Sequence, residues 1–75
     1  MIGAHIQVLQ DLYDSEINAR IEWFYDADWS VSLGDQMNDF VATSQVRTAV
    51  EAVHWLRVEA IKRYPESAFA RKYRQ

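Results

Sequence analysis

The sequence predicts an α+β domain of order α-β-β-β-α, a three-stranded antiparallel sheet with two helices packed on one face. Three observations carry this. Apolar residues recur at helical spacing from Ile2 to Tyr13, and they alternate at period two from Ile17 to Leu33. A helix-opening capping box, Thr48-Ala49-Val50-Glu51, then precedes a second helical pattern that ends at Pro65. Burying the apolar side of a small sheet under the apolar stripes of two helices is the natural two-layer solution for that order.

Taken in order, Ile2, Ile6, Leu9, Leu12 and Tyr13 trace one face of a first helix, which the polar run Asp14-Ser15-Glu16 interrupts. Ile17, Ala19, Ile21, Trp23 and Tyr25 then share one side of a strand, and Trp29, Val31 and Leu33 one side of the next. A three-residue loop, Asp26-Ala27-Asp28, would pair Tyr25 with Trp29, Trp23 with Val31 and Ile21 with Leu33. Residues 33–39 read as a turn or loop around Gly34. Residues 40–46 read as a short third strand at the sheet's edge, with Phe40/Ala42 and Val41/Thr43 competing for the inner face. In the second helix, Ala49, Val50, Val53, Leu56, Ala60, Ile61 and Tyr64 form the expected core-facing stripe. The remainder, residues 66–75, reads either as a loosely ordered basic tail or as a ragged turn anchored by Phe69 and Tyr73.

Seventy-five residues make a single domain, 1–75. A chain of this size buries only about 60% of its unfolded surface, so it depends on good packing or on a partner. It has no cysteine, which excludes disulfides and thiolate metal sites, and its two histidines, His5 and His54, stand far apart in sequence. No cofactor is expected. No apolar run approaches the ~20 residues of a membrane span, and the amino terminus lacks a signal-peptide pattern, so a cytoplasmic protein is expected. Charge is uneven. Residues 1–61 carry ten acidic and three basic side chains, a balance of −7, whereas residues 62–75 carry five basic and one acidic, a balance of +4.

Neither the serines nor the glycines stand in a nucleophile-elbow or phosphate-loop pattern, which argues against an enzyme acting alone. Asp26, Asp28, Asp35 and Asp39 cluster in and after the hairpin, yet their spacing matches no calcium loop, and acids in loops commonly serve turn geometry. The leading feature is Trp55. At about 100° per residue it falls roughly 160° from the centre of the second helix's stripe, beside Val58, Glu51 and Lys62. A fully exposed indole forgoes burial of ~150–250 Å², worth roughly 4–6 kcal/mol. The tail could fold back and cover it with Phe69 or Tyr73, or another molecule could. The favoured reading is a partner surface in a homodimer or a small regulatory subunit, centred on Trp55 and Val58 and rimmed by Glu51, Glu59 and Lys62, with Phe24 a second contact. The alternative is nucleic-acid binding through Lys62, Arg63, Arg71, Lys72 and Arg74, although cations at a helix's carboxyl end also complement its dipole.

Two resemblances bear on this. Helix-strand-strand-strand-helix is the layout of double-stranded-RNA-binding domains, whose last helix starts with phosphate-contacting lysines; the matching place here, "QVRTAVEA", offers Arg47 alone. The stretch from Ile17 to Ile61, with its two strands, the turn "LGDQMND" and the helix opening "TAVEAVHWL", is similar to the HicB-like antitoxin domain. That resemblance implies a partner-binding, non-catalytic module; the leading helix stands outside its pattern. As a whole the chain resembles short bacterial proteins, which implies the same cytoplasmic compartment.

Overall fold

The computed structural model describes residues 2–35, 37 and 40–74. The chain forms helix α1 (Ile2–Asp14), strands β1 (Ala19–Glu22), β2 (Trp29–Leu33) and β3 (Ala42–Val46), helix α2 (Ala49–Arg63) and a short helix α3 (Ala68–Tyr73). The strands form one antiparallel sheet in the order β1-β2-β3. The expected α+β class and α-β-β-β-α order are therefore present, with α3 added.

α1 ends in a local device that the sequence does not advertise. Glu16 takes a left-handed conformation (φ 61°), a place usually given to glycine. Its amide donates to the Tyr13 carbonyl at 3.1 Å, and the Ile17 amide reaches back to the Leu12 carbonyl at 3.0 Å. This pair of bonds is the Schellman pattern, and the apolar contact that accompanies it is supplied by Leu12 and Ile17, both buried in the core. The chain thus leaves α1 already aimed into the sheet.

The hairpin forms in a different register from the one expected. Ile21 lies opposite Val31 and Ala19 opposite Leu33, a shift of two residues that lengthens the connection and shortens β1. Side chains alternate with period two, so a shift of two leaves every apolar residue on its original face. The apolar pattern therefore cannot choose between the two registers. What distinguishes them is the end of the ladder: continued by one pair, it places Trp23 opposite Trp29, and their ring centroids are 4.7 Å apart. The tip beyond closes with the Ala27 amide donating to the Phe24 carbonyl at 2.9 Å.

β3 is an edge strand, and its inner face is settled: Ala42, Ser44 and Val46 are partly buried while Thr43 and Gln45 are exposed. Gly34, at φ 96°, turns the chain out of β2, and a Cβ there would lie 3.0 Å from the Val41 backbone nitrogen. α2 opens as anticipated. Thr48 is the N-cap, its hydroxyl oxygen accepting from the Glu51 amide at 3.1 Å. The Glu51 carboxylate accepts from that same hydroxyl at 3.2 Å, where the expected box would have it accept from the Thr48 amide.

The core joins Val8, Leu12 and Ile17 to Val31 and Leu33 of the sheet, to Ala52, Val53, Leu56 and Ala60 of α2, and to Phe69 of α3. The expected helix stripes are both rotated. In α1 the buried residues are Val8 and Leu12, whereas Ile6 and Tyr13 are exposed; the Ile2 side chain lies outside the described part. In α2 the buried arc includes Ala52, which the expected stripe omitted, and excludes Val50, which stays 56% exposed. Each stripe holds more apolar residues than its contact with the sheet uses. The residues left over matter for the site.

Residues 68–73 form α3, a helix in place of a loose tail or ragged turn. Ser67 caps it, its hydroxyl accepting from the Ala70 amide at 3.1 Å and donating to the Tyr64 carbonyl at 2.8 Å. Six residues cannot hold a helix alone. Phe69, 1% exposed, anchors it, and the Tyr73 ring stacks on Phe69 with centroids 4.5 Å apart. The whole is thin, 37 × 34 × 17 Å.

Candidate functional site

Residues 4–9 of α1 and residues 49–58 of α2 line the same depressions. The first halves of the two helices do not close against each other. Between them lies an open apolar groove of about 560 Å³, which continues into a second depression of about 310 Å³. α1 contributes His5, Ile6, Val8 and Leu9 to its walls, and α2 contributes Val50, Val53, His54 and Val58. Ile6 and Val50 are the surplus residues of the two rotated stripes. They are 58% and 56% exposed, and Val58 is 45% exposed. The two histidines, far apart in sequence, share this lining.

Trp55 stands differently from expectation. It is partly buried and packs against the core, and with Val46 it lines the edge of the groove. The reason is Ala52: three residues before Trp55 and about 60° from it around the helix, Ala52 is fully buried, so the inward arc of α2 reaches close to the indole. The core cluster that Trp55 packs against includes Phe69 of α3, while the second anchor of the tail, Tyr73, lies elsewhere. Tyr73 lies beneath the Arg57 guanidinium, 5.4 Å from the ring centroid, and Arg57 projects about 160° around α2 from Trp55.

Of the other expected contact residues, Val58 and Glu51 join Trp55 at the groove. Glu59 is turned to Arg63, 3.1 Å away, and Lys62 is exposed beyond the groove. Phe24 lies at the hairpin tip, exposed with Trp23 and Tyr25, and is not among the groove's lining residues. Sequence reasoning missed Ile6, Val50 and His5. Helical spacing places Ile6 and Val50 on the core-facing stripes, and only the surplus width of the two stripes marks them.

The basic residues of the nucleic-acid alternative are largely engaged within the chain. Arg63 pairs with Glu59, Lys72 with Asp11 at 2.8 Å, and Arg74 donates to the Pro65 carbonyl at 3.2 Å. Arg71 and Lys62 are exposed. Asp26 and Asp28 lie in the hairpin tip, Asp35 accepts from the Asn18 amide group at 3.2 Å, and Asp39 lies outside the described residues. Among the described residues no three histidine, aspartate or glutamate side chains converge as a metal site would need, and no helix is long and apolar enough to cross a membrane.

One polar cluster is strongly tuned. Asp11, on α1, accepts from the Lys72 ammonium, from the Tyr73 hydroxyl and from the Gln7 amide at 2.9 Å. Lys72 first, then Tyr73 and Gln7, lower its pKa from 3.8 to about 2. Burial, reinforced by the Asp11 carboxylate, raises Tyr73 from 10.0 to about 12. This clamp ties α3 to α1 and has a pH signature at each end. A depressed carboxyl contributes stability that is complete above its ordinary pKa and is lost as pH falls from about 4 to 2; a raised phenol contributes stability that is lost as pH rises from about 10 to 12. The thermal midpoint of wild type is therefore expected to fall more steeply than that of Asp11→Asn between pH 4 and pH 2. Equal slopes would show that the clamp contributes nothing.

Comparison of the chain with protein-family models, with curated proteins and with solved structures finds no match.

Proposed function

We propose that the protein is a non-catalytic interaction module that pairs with a second copy of itself through the groove between α1 and α2. The supporting observation is the surplus apolar surface there: Ile6, Val50 and Val58, each about half exposed, beside the partly exposed Trp55. A compact monomer of 8.8 kDa would expose about 4,800 Å², whereas this chain exposes 5555 Å². The excess approaches the roughly 800 Å² that one partner contributes to an interface of standard size. A thin molecule with a single-sided helix layer gains most by covering that layer. The opposite sheet face has no such need, since Arg20, Ser32, Thr43 and Gln45 line it.

A groove that is the same on both copies makes a self-complementary contact around a two-fold axis, the commonest oligomeric arrangement. Its composition suits the purpose: an apolar floor, Trp55 at the edge, and Glu51 and Arg57 at the rim. Sedimentation equilibrium at high micromolar concentration is expected to give twice the monomer mass. A monomer under those conditions would remove the reading.

A further inference from the structure

A second exposed surface, whose rings do not line the groove, lies at the tip of the β1–β2 hairpin. Three consecutive aromatics, Trp23, Phe24 and Tyr25, are exposed there, Tyr25 almost completely at 99%. Loop tips are normally small and polar, because a large ring left in water gains nothing from folding. The tip is nevertheless held in shape. Trp23 lies against Trp29, and the turn is closed by the Phe24–Ala27 backbone bond. Its own charge is acidic: from residue 23 to residue 29 the chain has two carboxylates and neither lysine nor arginine, while the flanking Glu22 is paired with Arg20 at 3.2 Å and Arg47 follows Val46, the ladder partner of Trp29. Asp26 and Asp28 stand within the tip itself.

From this pairing of exposed rings with carboxylates we infer that the hairpin tip docks an arginine- and lysine-rich segment of a partner protein. Ring faces attract cations, best of all the planar guanidinium, and adjacent carboxylates complete the match by pairing with the same groups. The fold already uses this chemistry internally, with Arg20 over Phe40 at 5.9 Å and Arg57 over Tyr73 at 5.4 Å. The same negative charge repels the phosphates of nucleic acids and the surfaces of anionic membranes, so a cationic polypeptide is the favoured occupant. The inference stands independently of dimerisation through the helix groove.

The test uses the full-length chain and a fluorescently labelled, arginine-rich eight-residue peptide, with binding followed by anisotropy at low and at moderate salt. Wild type should bind it, and more weakly at the higher salt. The doubly substituted Phe24→Ser/Tyr25→Ser protein keeps its charge and alters only exposed rings; its affinity should fall about tenfold. Asp26→Asn/Asp28→Asn should weaken binding and flatten its salt dependence. Asp14→Asn/Glu66→Gln makes the same change in net charge at exposed positions outside the tip, and should bind as wild type does. Three results would overturn the inference. One is wild-type affinity in Phe24→Ser/Tyr25→Ser. Another is equal weakening by the two charge-matched pairs, which would reduce the effect to bulk charge. The third is a change of oligomeric state on serine substitution at the tip, which would make a second copy the occupant.

Discussion

Replacing Phe69 by alanine is expected to remove about 3–5 kcal/mol of stability. A domain of 75 residues has only about 4–11 kcal/mol in total, so this one substitution should leave the protein near its unfolding threshold. The size of the effect follows from position. Phe69 is 1% exposed and is the largest of the fully buried side chains, although it belongs to a six-residue helix near the chain's end. Its loss would leave a cavity beside α2 and remove the ring on which Tyr73 stacks. Tyr73 in turn donates to Asp11, so the bond between α3 and α1 should loosen with it. Phe69→Leu keeps most of the volume and should cost less than about 1.5 kcal/mol. Urea unfolding of the two variants checks both figures. A loss below about 1 kcal/mol in Phe69→Ala would mean that α3 is an appendage outside the cooperative core.

That helix also shows where the sequence could and could not be read. Phe69 and Tyr73 are recognisable as anchors, since large rings in a polar segment need cover. Their destination is not recognisable, because it depends on Arg57 and Asp11, distant in sequence and unremarkable where they stand. The hairpin divides the same way. Period-two alternation fixes which residues face the core, and Val31 and Leu33 are fully buried as expected. It is blind to a shift of two, which Trp23 and Trp29 decide by packing against each other. The capping box at Thr48 and the stop at Pro65 act through neighbours in sequence, and both are found where expected. The groove is legible only as an excess. Helical spacing shows that Ile6 and Val50 lie on apolar faces, but the fraction of each face that the sheet covers is a tertiary quantity. The position of Trp55 is hidden for the same reason: without Ala52 in the stripe, the inward arc ends too early.

The exposed valine and isoleucine are therefore better tests of self-association than the tryptophan. Truncating Trp55 would remove packing inside the protomer as well as any contact outside it, and the two losses could not be separated. Val50 and Ile6 stand more than half exposed on helix surfaces. Glutamate at either position should change protomer stability by no more than about 0.5 kcal/mol, and at Val50 it replaces a β-branched residue with a better helix former. In a two-fold contact each substitution occurs twice, on facing surfaces, and buries carboxylates in an apolar floor. At about 2 kcal/mol for each copy, Val50→Glu should weaken the dimer by roughly 4 kcal/mol, close to a thousandfold. Ile6→Glu, on the opposite wall, should act similarly, while Thr43→Glu on the polar sheet face should leave the dimer intact. Circular dichroism would establish that each variant is folded before its mass is measured by sedimentation. If Val50→Glu and Ile6→Glu both remain dimeric, the contact lies elsewhere, and the surplus apolar surface of the two helices must be covered by a different molecule.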